Sequence, residues 1–275
     1  MAKPAVLLDG SALARKIIRT ELTGQFTHAG RLVVLSVGYN AASEAYIKKK
    51  AEMAKRLEVE FQRIALDDRV STEMVLAAIN PVNLDPTVSG IMVQLPLPVH
   101  LNTDAIVDYV RPEKDVDGLT SSNIVLSRIL PATAEGILRL LLAYKIEIDN
   151  KRVALVGFTR LLNIPLSLYL LKHGCRVSVA TKEFGLMAEL RHADIVITAA
   201  GSPWLIEPTM VKPGVVVIDA GIAWRNKKLV GDVDPGVTEV ASFLTPVPGG
   251  VGPMTIAGLY LNLHKLIQLS TTPIR

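Results

Sequence analysis

Residues 151–165 read KRVALVGFTRLLNIP and combine a strand, a turn and the start of a helix. The run from Val153 to Val156 is apolar, as in strands that are buried on both faces of a parallel sheet. Further strands are predicted in RVSVAT, ADIVITAAG and GVVVIDAG. Strands that alternate with helical stretches indicate an α/β domain with a parallel sheet.

The first half of the chain shows the same alternation. Strands are predicted in RLVVLSVG, EFQRIAL and VSGIMVQLPLP. Helices are predicted from about Ser43 to Leu57, in STEMVLAAINPVN with Ser71 as its N-cap, in TDAIVDYV, and from about Met254 onward.

The fold class that follows is α/β with two domains. The chain has 275 residues, enough for two hydrophobic cores, and we place the break between Ser122 and Glu135. One domain is predicted to comprise residues 1–125 and the C-terminal helix 255–275, and the other residues 126–254.

Composition excludes several functional classes. Hydrophobic residues make up 49% and charged residues 20%, which is typical of a globular protein. The net charge of +4 is mild, so we expect no nucleic-acid partner, and no apolar run is long enough for a membrane span. The five histidines show no metal-ligand spacing, so no metal is expected. The single cysteine, Cys175, and the absence of a signal-peptide pattern predict the cytoplasm.

Three consecutive lysines lie in SEAYIKKKAEM, residues 43–53. On a helical wheel at about 100° per residue, Lys50 lies within the apolar arc, one turn after Tyr46. Lys48 and Lys49 lie on the charged side. Lys50 then either extends its ammonium past an apolar stem to solvent, or is a partly desolvated lysine with a lowered pKa. Tyr46 is either a core residue or a stacking platform for a flat ligand.

Two other motifs place polar groups after strands. Gln94 ends the apolar run in GIMVQLPLP, at the edge of a parallel sheet where ligands bind, although it could instead bond to the loop backbone. Asp115 and Asp117 flank Val116 in KDVDG, where they either form a turn or accept hydrogen bonds from an amine-bearing heterocycle.

Two glycine-containing segments suggest ligand-binding loops. TPVPGGVGPMT, residues 245–255, is dense in glycine and proline and leads into a helix, which favours a shaped loop. Gly157 occupies the place of a dinucleotide-binding turn, but the GxGxxG pattern is absent. After the next strand, Lys182 would suit a ribose phosphate and Glu183 a bare ribose.

Together, SEAYIKKK, GIMVQLPLP, PEKDVDGLTSSN, LVGDVD and TPVPGGVGPMT resemble the bifunctional methylenetetrahydrofolate dehydrogenase/methenyltetrahydrofolate cyclohydrolase family. The resemblance covers nearly the whole chain in the same order and spacing. It implies two domains with a folate cleft between them, the C-terminal one Rossmann-like, and a homodimer. It also implies that methylenetetrahydrofolate is oxidised with NADP and that the methenyl product is hydrolysed to formyltetrahydrofolate.

The resemblance assigns the folate site residue by residue. It makes Lys50 the catalytic group, with Tyr46 stacked along the pterin, Gln94 holding the amine of Lys50, and Asp117 binding the pterin amine. The substrate-binding set that it implies also contains Val93, Leu95, Pro248, Gly249, Gly250, Val251 and Gly252. The cofactor-binding set that it implies is Gly157, Phe158, Thr159, Lys182, Gly201, Ile222 and Thr255.

The departures from the family pattern lie in the nucleotide half or just before it. The arginine that meets the 2′-phosphate of NADP is Phe158 here, and the second glycine of the loop is Asn163. Lys182 can replace the arginine only as a point charge, not as a bidentate fork. Three hypotheses follow: a bifunctional enzyme, a cyclohydrolase whose dehydrogenase is weak, lost or NAD-dependent, and a folate-binding or structural protein of this fold without activity.

Overall fold

The structure is a computed structural model that describes residues 4–26 and 30–271. Its strands are β1 (Val6–Leu7), β2 (Arg31–Val37), β3 (Glu60–Leu66), β4 (Val88–Val93), β5 (Arg152–Val156), β6 (Arg176–Ala180), β7 (Ile195–Thr198), β8 (Val216–Asp219), β9 (Ala223–Arg225), β10 (Lys228–Val230) and β11 (Phe243–Leu244). Its α-helices are α1 (Gly10–Ile17), α2 (Ala41–Arg56), α3 (Thr72–Leu84), α4 (Thr103–Tyr109), α5 (Ser121–Leu126), α6 (Ala132–Ala143), α7 (Asn163–Lys172), α8 (Leu186–Leu190) and α9 (Val251–Thr271). None of the helices in these two ranges combines the length and the apolar character that crossing a membrane requires.

The chain forms two compact units. The six-stranded unit comprises residues 1–16 and 133–255, and the three-stranded unit comprises residues 17–132 and 256–275. Each unit contains a parallel sheet, which confirms the predicted α/β class.

The three-stranded unit has its sheet in the order β3-β2-β4. The central strand β2 is buried from Leu32 to Val37, as its apolar sequence predicts. The predicted N-cap of α3 is confirmed, because the Ser71 side chain accepts a hydrogen bond from the Met74 N–H at 3.3 Å. Helix α2 has Asn40 as its N-cap, so it begins slightly earlier than predicted.

The six-stranded unit has the strand order β1-β11-β8-β7-β5-β6, with every pair parallel. The carboxyl ends of four strands are in register, since Val156 pairs with Ala180 and Thr198, and Thr198 pairs with Asp219. This aligned edge is where parallel α/β sheets bind ligands.

The N-terminal segment differs from the predicted domain organisation. Residues 1–16 were predicted in the domain 1–125, but they belong to the six-stranded unit. Strand β1 pairs with β11, and the Leu8 N–H donates to the Leu244 carbonyl at 2.9 Å. The other junctions, at 132/133 and 255/256, fall near the predicted breaks at 125/126 and 254/255.

The C-terminal helix also starts earlier than predicted. It begins at Val251 rather than near Met254. Pro253 lies in its first turn, where the missing N–H removes no helical hydrogen bond. The last four residues of the predicted helix 255–275 lie outside the described residues.

Candidate active site

Lys50 lies on α2 with its side chain buried in the three-stranded unit, only 4% exposed. Its Nζ donates to Oε1 of Gln94 at 2.8 Å and contacts Sδ of Met92 at 3.2 Å. Lys48 and Lys49 are exposed. The prediction that Lys50 alone of the three lies on the buried face is confirmed. The alternative, in which its ammonium extends to solvent, is wrong because Nζ ends on inward-facing partners.

The surroundings of Lys50 make its amine titratable near neutral pH. Burial lowers the pKa of Lys50 to about 8, and the negative charge of Asp117 opposes that shift. The partner at Nζ, the Gln94 amide oxygen, is neutral, so no salt bridge holds the proton in place. A lysine in this state can both give and take a proton.

Gln94 follows β4, and its side chain contacts both Lys50 and the loop backbone, so both predicted roles of this residue apply. Its Oε1 accepts the hydrogen bond from Lys50, while its Nε2 donates to the Leu95 carbonyl at 2.7 Å. The two bonds fix which end of the amide faces the lysine. The bond to the loop backbone therefore orients the group that holds the amine.

The two aspartates of KDVDG have different environments. Asp115 is buried and accepts hydrogen bonds from the Gly118 N–H, the Thr120 N–H and Nδ2 of Asn123. Those three donors occupy both oxygens of its carboxylate, so Asp115 forms the turn.

Asp117 is half-buried, and none of the described residues donates a hydrogen bond to its carboxylate. Burial and the nearby negative charge of Asp115 raise the pKa of Asp117 to about 6, although Lys50 opposes the shift. The loop is tied to β4, since the Ile91 N–H donates to the Lys114 carbonyl at 2.6 Å. Asp117 is thus the aspartate available to a ligand.

Tyr46 lies one turn before Lys50 and is half-buried, and burial raises the pKa of its hydroxyl. Nζ of Lys49 lies 5.7 Å from the centroid of its ring, which is a cation–π distance. The helical wheel predicts only a solvated charge for Lys49. The three-residue spacing between Tyr46 and Lys49 is the signal that could have indicated this contact.

Two further neighbours of Lys50 were missed. Met92 supplies the sulfur beside Nζ, and nothing in the apolar pattern of β4 marks it. Tyr260, on α9, is fully buried, and its hydroxyl donates to the Lys50 carbonyl at 2.6 Å. A tyrosine within the apolar run IAGLYL of this helix is the signal for such a contact, because a buried hydroxyl needs a partner.

Replacing Tyr260 with phenylalanine should lower the free energy of unfolding by about 1 kcal/mol, the usual net contribution of one hydrogen bond. Equilibrium urea unfolding measures the change. Tyr109→Phe is the matched control, because its hydroxyl makes a long bond of 3.4 Å to Asn80 at an exposed site. Equal losses of unfolding free energy in the two variants would show that the hydrogen bond from Tyr260 to the Lys50 carbonyl adds no more stability than an exposed one.

The loop 245–255 is closely packed within the six-stranded unit. The Gly250 N–H donates to the Pro246 carbonyl at 2.8 Å, and the Ser11 N–H donates to the Gly249 carbonyl at 2.9 Å. A side chain at Gly10 would overlap the backbone of Gly250. The expectation of a shaped loop agrees with these contacts. Pro248 is exposed, while Val251 and Gly252 form the first turn of α9.

The predicted nucleotide turn follows β5. Gly157 has a φ of +103°, and a side chain there would press on the Ala199 backbone. Its N–H donates to the Ala180 carbonyl at 2.9 Å, which joins the ends of β5 and β6. Only glycine suits this conformation and this close approach.

Asn163, in place of the second glycine, is fully buried at the start of α7. Its Nδ2 donates to the Val156 carbonyl at 3.3 Å, and its Oδ1 accepts from Thr159 Oγ1 at 3.1 Å. The amide therefore ties the strand end to the turn. Thr159, a predicted cofactor contact, is part of this link.

The remaining predicted cofactor residues lie at two places. Phe158 is 66% exposed after β5, Lys182 is exposed after β6, and Gly201 and Ile222 are exposed after β7 and β8. All four follow the aligned strand ends. Thr255 is half-buried on α9, with its hydroxyl 3.2 Å from that of Thr133.

A nicotinamide dinucleotide fits this edge of the sheet. The glycine turn after β5 leaves the backbone accessible, and the exposed residues surround an open strand edge. Phe158 offers an apolar face in place of a guanidinium fork.

Two family models match the chain. Residues 8–117 match the catalytic domain of tetrahydrofolate dehydrogenase/cyclohydrolase, and residues 131–271 match its NAD(P)-binding domain. A bifunctional FolD protein of Hydrogenobaculum sp. is 40% identical over 271 residues, which is 94% of this chain and 97% of the relative.

Solved structures agree with the sequence match. The bifunctional FolD enzyme of Campylobacter jejuni has a TM-score of 0.92 and 38% identity, over 97% of this chain and 99% of that one. The Trypanosoma brucei enzyme, solved with NADP and an inhibitor, has a TM-score of 0.92 and 30% identity, over 98% of this chain and 100% of that one.

These matches confirm the predicted pair of activities, a methylenetetrahydrofolate dehydrogenase that uses a nicotinamide dinucleotide and a methenyltetrahydrofolate cyclohydrolase. They also confirm the Rossmann-like character of the C-terminal domain. The chain belongs to the tetrahydrofolate dehydrogenase/cyclohydrolase family.

Proposed function

We propose that Lys50 is the group that moves protons in the hydrolytic step. The observation that carries this proposal is the position of its Nζ, buried between Met92 and Gln94 with a pKa lowered to about 8. In the hydrolysis of the cationic methenyl bridge, the attacking water becomes the formyl oxygen and loses both its protons, while the ring nitrogen whose bond to the bridge breaks gains one and the other is released. An amine that titrates near neutral pH can serve both transfers.

Tyr46 and Asp117 are the proposed binding groups for the folate. The half-buried ring of Tyr46 offers a flat surface on the same helix face as Lys50. The Asp117 carboxylate has acceptor capacity that no described donor uses, which suits the amino group of a pterin. Val93 and Leu95 flank Gln94 and would line the same region.

The dehydrogenase step needs the nicotinamide ring and the reacting ring of the folate to be held together, with water excluded. A bound nicotinamide dinucleotide supplies the hydride acceptor. We propose that Gly157, Phe158, Gly201 and Ile222 hold it along the aligned strand ends. The loop from Pro248 to Gly252 is proposed to contact the folate, because its glycines allow a close backbone approach.

We further propose that the enzyme accepts both NAD and NADP. Phe158 carries no charge, and Lys182 supplies one exposed ammonium after the neighbouring strand. A single solvated ammonium favours NADP over NAD less strongly than an arginine that binds the 2′-phosphate through two parallel hydrogen bonds. The preference for NADP should therefore be weak.

Steady-state rates with the two dinucleotides, measured beside methenyl hydrolysis, test these proposals. We expect both activities, with kcat/KM for NADP above that for NAD by less than about tenfold, because one solvated ion pair is worth about 1 kcal/mol. A preference above about 100-fold would contradict weak discrimination. Hydrolysis without oxidation by either dinucleotide would establish the cyclohydrolase-only alternative. The predicted homodimer and cytoplasmic location stay predictions.

A further inference from the structure

Two buried carboxylates in the six-stranded unit have no part in the chemistry described so far. Asp219 ends β8 and is 3% exposed, and Asp232 lies after β10 and is 0% exposed. Among the described residues, neither has a cationic partner within ion-pair distance. A buried carboxylate without a cation must be satisfied by hydrogen bonds, so its donors show what it organises.

The donors to Asp232 come from the end of β7 and the loop that follows it. Oδ2 accepts from Thr198 Oγ1 and from the Ala200 N–H, each at 2.7 Å. Oδ1 accepts from the Ser202 N–H at 2.7 Å. Ala200 and Ser202 are the two neighbours of Gly201, so one carboxylate holds this exposed glycine from both sides.

The donors to Asp219 come from the loop after β8 and from the segment after β10. Its Oδ1 accepts from the Gly221 N–H at 2.9 Å and from the Asp232 N–H at 3.1 Å, and its Oδ2 accepts from the Val233 N–H at 2.9 Å. Gly221 directly precedes Ile222. The bond to the backbone of Asp232 joins the two carboxylates into one network.

Two glycines make the network possible. A side chain at Gly221 would overlap the Asp232 carboxylate, and one at Gly231 would overlap the Asp219 carboxylate. Burial and the proximity of Asp232 raise the pKa of Asp219 to about 7. Charges held this closely are costly to keep. The hydrogen bonds that both carboxylates accept from the strand-end loops offset this cost.

We infer that Asp232, supported by Asp219, is a positioning residue for the dinucleotide. It fixes the backbone of residues 199–202, while Asp219 fixes residues 220–222, at the edge where Gly201 and Ile222 meet the cofactor. The inference rests on the proposed placement of the dinucleotide at these loops.

Asp232→Asn tests the inference in the full-length enzyme. The variant keeps the shape but turns an amide NH₂ toward backbone donors, so residues 199–202 must move. We expect the KM and Kd of the dinucleotide to rise at least about tenfold, the loss typical of a charged hydrogen bond. Methenyl hydrolysis, which we assign to Lys50 in the other unit, should stay within about twofold, a factor worth less than 1 kcal/mol.

Asp194→Asn is the matched control, because Asp194 lies just before β7, at the opposite end of that strand, where it bonds the Arg152 N–H and Lys212. It should leave the Kd of the dinucleotide unchanged. If Asp232→Asn does not fold, Thr198→Val removes one donor and should still raise this Kd by about threefold, a loss at the low end for a hydrogen bond.

The outcomes separate the two proposals. An unchanged Kd in Asp232→Asn, or in Thr198→Val where the first variant does not fold, overturns the inference and leaves the proposed function intact. Parallel losses of hydrolysis and dinucleotide affinity would show that Asp232 is only structural. The proposed function is judged on the unmodified enzyme, and failure of that enzyme to bind either dinucleotide would overturn both.

Discussion

Replacing Lys50 with methionine should lower the rate of methenyl hydrolysis by about 10²- to 10⁴-fold, the usual contribution of a positioned acid or base. Methionine keeps most of the length and the apolar stem of the side chain but has no titratable group. Gln94 would keep its bond to the Leu95 carbonyl, so the loop should hold its shape. The loss would then be chemical rather than structural.

Single-turnover hydrolysis of the methenyl substrate measures this effect. Lys48→Met is the matched control, since it makes the same change on the same helix at an exposed position. Its rate should stay within about twofold of the unmodified enzyme, because exposed substitutions change free energies by less than about 0.5 kcal/mol. A Lys50→Met rate within about tenfold of the unmodified enzyme would remove the proton-transfer role.

Stability against pH gives an independent check on Lys50. Its pKa is about 8 in the folded chain, below the value of 10.5 for a free lysine. The fold therefore disfavours the charged form, and the unmodified protein loses stability as the pH falls from above 10.5 to below 8. Lys50→Met removes that loss. As the pH is lowered from 10 to 7, urea unfolding should show the free energy of unfolding of Lys50→Met rising relative to that of the unmodified protein.

Replacing Phe158 with arginine should raise the NADP-to-NAD ratio of kcat/KM by about 10- to 150-fold, the value of one charged hydrogen bond. Phe158 follows β5 and is 66% exposed, so an arginine can be placed there without disturbing a core. Its fork can make two parallel bonds to a phosphate, which the single ammonium of Lys182 cannot.

Rates with both dinucleotides before and after the substitution measure the change. Leu171→Arg adds the same charge at an exposed position on α7, away from the strand ends, and should leave the ratio unchanged. An unchanged ratio in Phe158→Arg would show that the 2′-phosphate does not approach this residue. The placement of the dinucleotide would then need revision.

Local sequence patterns predicted the elements of the fold where burial is continuous or periodic. β2, β5, β7 and β8 each contain an uninterrupted run of apolar residues and lie inside parallel sheets, as expected. The helical wheel separated Lys50 from its neighbours because α2 has one buried face. Neither pattern could give Lys50 a partner, since Gln94 and Asp117 meet it only through the tertiary fold.

Local sequence patterns could not predict which strands pair when they are far apart in the chain. β1 has only two residues, both exposed, and its partner β11 lies near the other end of the chain. The LVGDVD motif carried family information but no role for Asp232, because its donors come from loops that are distant in sequence. Contacts of this kind depend on topology rather than on local propensity.

The pairing of β1 with β11 has a consequence for how the protein is made. Residues 4–16 are synthesised long before their partner strand β11, which lies more than 200 residues later in the chain. The three-stranded unit likewise requires residues 256–271 of α9, which are synthesised long after its other residues. Neither unit is one continuous stretch, so no single cut in the gene would separate the two units intact. Both units can therefore be completed only after residues 243–271 have been synthesised, and until then their sheets have unpaired edges.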